Sequence, residues 1–411
     1  MDEYSVEVEA EQGEHDISVQ RLIGIGLLTR LLVDTAVQMF FPFLPVIAEG
    51  MQITTVQLGR LVSLRSSMGL LSPLFGVLAD RKGYRLTMRL GLLLGAVGYT
   101  IVASSSSMWL AAVGMVLGGL GTFSFVPTLQ AYVSSRLPYY QRAKGLGILE
   151  YSWALSGIIG LFLVGQLIAL TSWRVPLYVI GAGMFVATLL YGRLPSARHQ
   201  QEQGVLEEKS GFSWAKVREF FIFGENQRSA RGVLLVAFLT MFGAIMVIIN
   251  YGTWLAQDFN AEAALLGTVA LILGLADLSG SVLASLTGDR VGKRRSLIIG
   301  TAVSTIAYVC LPFFDVTLVT AVIGLIFTRV AFEYSVVNVI ALASEQVPSQ
   351  RGKLMTMNAA MALLGSTFAG LIAPAILESY GLRILTFIPI TATIVTLIVI
   401  GLFVKEADTE V

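Results

Sequence analysis

Gly76-Val-Leu-Ala-Asp80-Arg-Lys-Gly83-Tyr-Arg85 is echoed later in the chain by Gly288-Asp289-Arg-Val-Gly292-Lys-Arg294, and the shared core is Asp-Arg-x-Gly-x-Arg. Asp289 stands 209 residues after Asp80. The same offset carries Arg142-Ala-Lys144 onto Arg351-Gly-Lys353, and Arg174 onto Arg383. A chain of 411 residues with a repeat of half its length reads as two copies of one unit.

Composition says what kind of unit. The chain is 55% hydrophobic and 13% charged, with a mean hydropathy of +0.75. A soluble domain carries about 25% charged residues. This is the composition of a polytopic membrane protein, and its 41 glycines suit close helix packing in lipid. The one cysteine, Cys310, can close no intramolecular disulfide, and the two histidines, His15 and His199, lie in polar stretches. Gly118-Gly119-Leu-Gly121 sits within an apolar run and reads as helix packing, not phosphate binding. No nucleophile–base pair or metal cluster is visible, so no enzyme is expected. Nor is a metal, cofactor or nucleic-acid partner expected, and a monomer is.

Apolar segments long enough to cross about 30 Å of hydrocarbon fall at 21–47, 55–79, 86–106, 108–135, 143–170, 174–194, 230–257, 263–287, 296–314, 317–346, 353–377 and 383–404. We number these spans one to twelve. They divide the chain into a disordered tail (1–20), a six-helix bundle (21–194), a linker (195–229), a second bundle (230–404) and a short tail (405–411). In the linker, Phe212, Trp214, Val217, Phe220 and Phe221 are spaced for one face of an interfacial helix. An ordinary solvated linker helix competes with that reading. Placing the N-terminus in the cytosol puts 22 of the 28 Lys and Arg residues on internal loops, tails and span ends, against 2 outside, Arg174 and Arg383. The positive-inside rule then places both termini in the cytosol. A bacterial inner membrane is the expected location.

Twelve spans in two halves, with Gly-x-Leu-Ala-Asp-Arg-x-Gly-x-Arg between spans two and three, resemble the major facilitator superfamily. The resemblance covers nearly the whole chain. It implies an all-α membrane protein, with twelve transmembrane helices in two pseudo-symmetric six-helix bundles that rock about a mid-membrane site. It also implies gating roles for Gly76, Asp80, Arg81, Gly83 and Arg85, and for Asp289, Arg290 and Gly292. Asp80 would engage span eleven near Arg351, and Asp289 span five near Arg142, when the cytosolic side is closed. The chain departs from the drug–proton antiporter branch at two places. Met115 stands where that branch carries an arginine in span four, and Ser156–Gly165 in span five lacks its proline.

Ionisable side chains in the bilayer cost at least ~2.5–3.5 kcal/mol each unless paired or hydrated, so they are functional candidates by default. Arg30 and Asp34 lie in span one, Arg60 and Arg65 in span two, Glu150 in span five, Asp277 in span eight, and Arg329 and Glu333 in span ten. The resembled family lines its central cavity with these spans. Seven of these eight do not obey the repeat: adding 209 carries Arg30, Asp34, Arg65 and Glu150 onto Leu239, Gly243, Gly274 and Ala359, and subtracting it carries Asp277, Arg329 and Glu333 onto Met68, Leu120 and Ser124. Asymmetric charge on a symmetric scaffold points to a site built for a ligand.

Arg30–Asp34 and Arg329–Glu333 are each four apart and share a helix face. They read either as cavity anchors that exchange partners or as self-neutralising pairs. Arg65 has no acid one turn away and suits a carboxylate or phosphate ligand; pairing with Glu150 or Asp34 is the alternative. Arg60, near the external end, is expected to snorkel. A neighbouring arginine keeps a carboxyl ionised, whereas unpaired burial favours the protonated form. Asp277 has no cation on its own helix face. The order expected for proton coupling is therefore Asp34 and Asp277 first, then Glu150, then Glu333. Asn250, Tyr251, Trp254, Tyr151, Trp153 and Asn358 are expected to add substrate contacts. The sequence points to proton-coupled export of an amphiphilic or hydrophobic organic compound. The rivals are uptake of an organic anion or lysolipid, and a membrane sensor without flux.

Overall fold

The computed structural model describes residues 19–137, 139–194, 223 and 226–405, with side chains described except at 19–21, 80, 139–144, 289 and 348. The N-terminal tail, most of the linker, where the interfacial helix is expected, and residues 406–411 lie outside the described residues. So do the side chains of Asp80, Asp289 and Arg142.

The described chain is helical apart from short turns and one isolated bridge between Asp315 and Thr317. Among the described residues, ten helices are long and apolar enough to cross a membrane. One of them, Arg351–Phe403, runs 53 residues but breaks at Gly381 (φ 72°). Unbroken it would measure about 80 Å against a 30 Å core, so it forms spans eleven and twelve. The remaining crossing is span one, Val19–Gln38 followed by Leu44–Gly50. It is interrupted over residues 39–43, where Pro42 and Pro45 end the regular hydrogen bonding. Span seven breaks between Ile248 and Tyr251. That break falls where the 209-residue offset carries the break of span one, so the discontinuity belongs to the repeated unit.

The two echoed loops also correspond. Gly83 (φ 93°) and Gly292 (φ 92°) share a backbone conformation that a side chain rarely adopts, and each joins two long helices. Gly76 shows no such need, because an added methyl there would meet nothing within 4 Å. Within the first half, span three (Tyr84–Ser104) and span four (Met108–Arg136) pack backbone to backbone. A methyl on Gly121 would lie 2.6 Å from the carbonyl oxygen of Gly91. The Gly-rich run at 118–121 is therefore a packing surface.

The halves meet at the membrane face opposite the Gly83 and Gly292 loops. A methyl on Gly165 of span five would lie 2.7 Å from Cα of Gly267 in span eight, and one on Gly157 would lie 3.1 Å from Cα of Gly274. Span two approaches span eleven as closely, with Gly59 against Gly370 and Pro374. Two hydrogen bonds sit at the same end: Thr55 donates to Glu378 at 3.3 Å, and Gln166 donates to the Ala264 carbonyl at 3.4 Å.

Candidate functional site

Between the halves lies a cavity of about 380 Å³, lined by spans one, two, four, five, seven, ten and eleven. Its wall is mostly apolar, with Phe41, Phe123, Trp153 and Phe332 supplying rings. Arg65, Glu150, Arg329 and Glu333 are the charged residues among its lining. Gly370 bounds it toward the closed face. Toward the Gly83 and Gly292 loops it is open, and there Glu150 leaves 53% of its side chain exposed.

Two arginines organise the charge, and neither closes its fork on the acid one turn along its own helix. Arg30 reaches across to span five and grips both carboxylate oxygens of Glu150, at 2.7 Å each. Asp34 is only flanked, 3.5 Å from Nε of Arg30. Asp34 instead accepts a 2.5 Å hydrogen bond from Ser152 of span five. Gln130 of span four donates to Glu150 at 2.6 Å. In the second half, Arg329 grips both oxygens of Asp277 in span eight, one through Nε at 2.8 Å. Glu333 accepts from Ser281 of span eight at 2.8 Å.

The two clusters have one design. Each has an arginine and, one turn later, an acid on one helix; a neighbouring helix supplies a second acid that takes the guanidinium and a serine that holds the first acid. Spans one and five build it in the first half, spans ten and eight in the second. The 209-residue offset relates span one to span seven and span five to span eleven, so it cannot detect this match.

The sequence-level pairings are thereby corrected. Glu150 does not pair with Arg65; it is the fork partner of Arg30. Asp277 is not a resting acid without a cation, because helix packing brings Arg329 to it from 52 residues away. Arg329 and Glu333 do not neutralise each other as an ion pair. Arg65 meets neither Glu150 nor Asp34. It is buried, donates to the carbonyls of Val37 (3.0 Å) and Ala36 (3.4 Å), and lies 5.0 Å from the Phe40 ring centre. Those carbonyls belong to the last turn of the span-one helix, whose carbonyls lack helical partners. Arg65 therefore caps the break in span one.

Of the aromatic and amide candidates, Trp153 lines the main cavity. Tyr251 borders a void of about 10 Å³ between the halves, with Gln38, Asp277 and Arg329. Trp254 is buried and donates to Asp315 at 3.1 Å; Asn250 is buried and donates to the Met246 carbonyl. Asn358 is buried outside the cavity lining, and Tyr151 is exposed outside it. Among the gating candidates Arg81, Arg290 and Arg351 are exposed, and Arg85 is half-buried. Arg60 is exposed, as snorkelling requires.

Sequence reading missed Ser152, Ser281, Gln130 and Gln38. Gln38 donates to Ser156 and to the Trp153 carbonyl, in and beside the π-helical turn Ser156–Gly160 of span five. A signal existed for Gln38, since 30, 34 and 38 form one polar stripe along span one. Ser281, one turn after Asp277, had the same kind of signal.

The match to known proteins agrees with this architecture. The family model described as Major Facilitator Superfamily matches residues 26–226 and 233–411. An uncharacterized MFS-type transporter of Bacillus subtilis, YwfA, is 26% identical over 347 residues, covering 83% of this chain and 81% of that protein. The multidrug resistance protein MdtG of Serratia proteamaculans is 26% identical over 398 residues, covering 89% and 90%. The xylose transporter XylE of E. coli, solved in an inward open conformation, superposes with a TM-score of 0.76 at 17% identity, over 95% and 98% of the two chains. This chain is a multi-pass membrane transporter, not an enzyme, and it belongs to the Major Facilitator Superfamily.

Proposed function

We propose that this transporter works by alternating access and exports an amphiphilic or hydrophobic organic compound in exchange for protons. The observation that carries the reading is the paired cluster at the wall of an apolar cavity. In each cluster one acid holds the arginine with both oxygens, while the other is held by a serine. A serine hydroxyl can donate to a carboxylate or accept from a protonated carboxyl. Asp34 and Glu333 therefore tolerate both charge states without leaving a buried group unpaired. Ionised, each attracts the arginine on its own helix; protonated, it releases that arginine to Glu150 or Asp277. Proton binding thus selects which helix the arginine ties. A ligand shifts the conformational balance only through unequal affinity for the states, and this exchange supplies the inequality.

This order of acids differs from the sequence expectation. Glu333 rises and Asp277 falls, because Asp277 already holds a guanidinium. By the positive-inside rule the open face and both termini are cytosolic, and a bacterial plasma membrane, the inner one in a two-membrane cell, fits the organisms of the relatives. The likeness to MdtG, a multidrug resistance protein, supports an organic drug-like substrate.

The test is flux in proteoliposomes bearing a pH gradient, with a panel of lipophilic cations, organic anions and lysolipids as labelled probes. Export coupled to protons gives accumulation that follows the gradient and collapses with a protonophore. Binding of a probe without flux under either gradient would contradict transport by this route.

A further inference from the structure

A second concave site lies away from the central cavity, at the membrane boundary where span seven begins and span twelve ends. It measures about 500 Å³ and is lined by Gln227, Arg228, Arg231, Leu235, Val399 and Phe403, with Gly232 at its floor. Its two ends differ in chemistry. Gln227, Arg228 and Arg231 form a polar, cationic end at the start of the span-seven helix. Leu235 and Val399 continue it one to two turns into the apolar zone. No carboxylate is among its lining residues within the described chain.

The site is built. The Arg228 guanidinium lies 4.9 Å from the centre of the Phe403 ring, which fixes the boundary between the two ends. A methyl on Gly232 would sit 3.1 Å from Cβ of Phe403, so a side chain there would crowd the floor of the groove. Beneath it, Ser229 donates to Gln346 and accepts from the backbone N–H of Lys405 at 2.9 Å. Gln346 in turn donates to the Lys405 carbonyl at 2.9 Å. Spans seven, ten and twelve are thereby clamped where the groove needs fixed walls.

Two exposed arginines with no acid among the described lining residues suit one phosphodiester, because a guanidinium donates to two phosphate oxygens at once. An apolar channel continuing from them into the bilayer suits acyl chain. We propose that this groove binds an anionic phospholipid, with phosphate on Arg228 and Arg231 and the first methylenes along Leu235 and Val399. Occupancy ties the start of span seven to the end of span twelve through a lipid of the leaflet that the groove faces. Basic pockets between transmembrane helices hold acidic headgroups in this way.

The full chain, purified in a neutral detergent, tests this by its unfolding midpoint as phosphatidylglycerol, phosphatidylcholine or sodium phosphate is titrated. A ligand of the folded state raises the midpoint with concentration. Phosphatidylglycerol is expected to stabilise the wild type and the control Arg295→Gln, which alters an exposed arginine outside the groove. Arg228→Gln/Arg231→Gln is expected to need roughly 30-fold more of it. An unchanged response in the double variant overturns the proposal. So does equal stabilisation by phosphatidylcholine, and so does full stabilisation by phosphate alone, which would make this a free-anion site. A photoreactive phosphatidylglycerol on the wild-type protein gives a reading independent of the variants. Label is expected within residues 227–235 and 399–403, and label confined to other segments overturns the assignment.

Discussion

Arg329 of span ten closes its guanidinium on both carboxylate oxygens of Asp277 in span eight, with side chains only 12% and 5% exposed. Arg30 and Glu150 make the same fork between spans one and five, but there Glu150 is 53% exposed. The first pair is buried at the cavity wall and the second stands at the cavity's open mouth. Buried charge without its partner is costly, so the two pairs differ in what their loss does.

Asp277→Ala removes the fork partner of a buried arginine and leaves Glu333, one turn away, as its remaining acid; the expected loss is about 3 kcal/mol of stability. Glu150→Ala is expected to cost about 1 kcal/mol or less, because solvent screens that site. Thermal or denaturant unfolding in detergent compares them directly. Replacing both members by Asp277→Leu and Arg329→Met should recover much of the loss, since the unpaired charge is then gone.

Arg65→Met tests whether Arg65 binds substrate or caps the span-one break. Capping gives a loss of about 2–3 kcal/mol in stability, from hydrogen bonds with a charged donor, with the rank order of transported probes unchanged. A selective loss of anionic probes at normal stability would return Arg65 to the ligand set.

The glycine crossings of spans five and eight close one face of the cavity. Gly165→Leu places a side chain where a methyl already falls 2.7 Å from Gly267 Cα. The face is expected to be pushed open, shifting the population toward the state open on that side. Spin-label distances across the closed face measure it. They should lengthen, while distances across the face of the Gly83 and Gly292 loops shorten.

Gly83→Ala and Gly292→Ala are each expected to cost about 1–3 kcal/mol, from forcing a side chain into a φ near +90°. Gly76→Ala, which meets open space, should be close to neutral. Unfolding of the three variants side by side separates the turn requirement from motif membership.

The repeat exposed the scaffold to sequence reading because it is carried by local features. Asp-Arg-x-Gly-x-Arg needs a glycine at a positive φ twice, and both loops have it. Apolar run length gave the crossings, and only the break at Gly381 separates spans eleven and twelve. The charged residues of spans one, five, eight and ten were legible as a set, since each stands alone in apolar sequence. Their pairing was not. Helical periodicity relates Arg30 to Asp34 and Arg329 to Glu333, but the forks form between helices, 120 residues apart for Arg30 and Glu150. The contacts of Arg65 were hidden for the same reason: its hydrogen-bond partners are backbone carbonyls freed by a helix break, and nothing in side-chain spacing marks them.

The central claim is that Asp34 and Glu333 exchange a proton as their arginines change partner. Proton release or uptake on ligand binding measures this most directly, in weakly buffered detergent solution with a pH-indicating dye and a probe established by the flux screen. The wild type is expected to exchange protons with the medium on binding. Asp34→Asn/Glu333→Gln is expected to bind the same probe with no proton exchanged, and to carry it without response to a pH gradient. Proton exchange by that double variant equal to the wild type, with gradient-driven flux intact, would contradict the account.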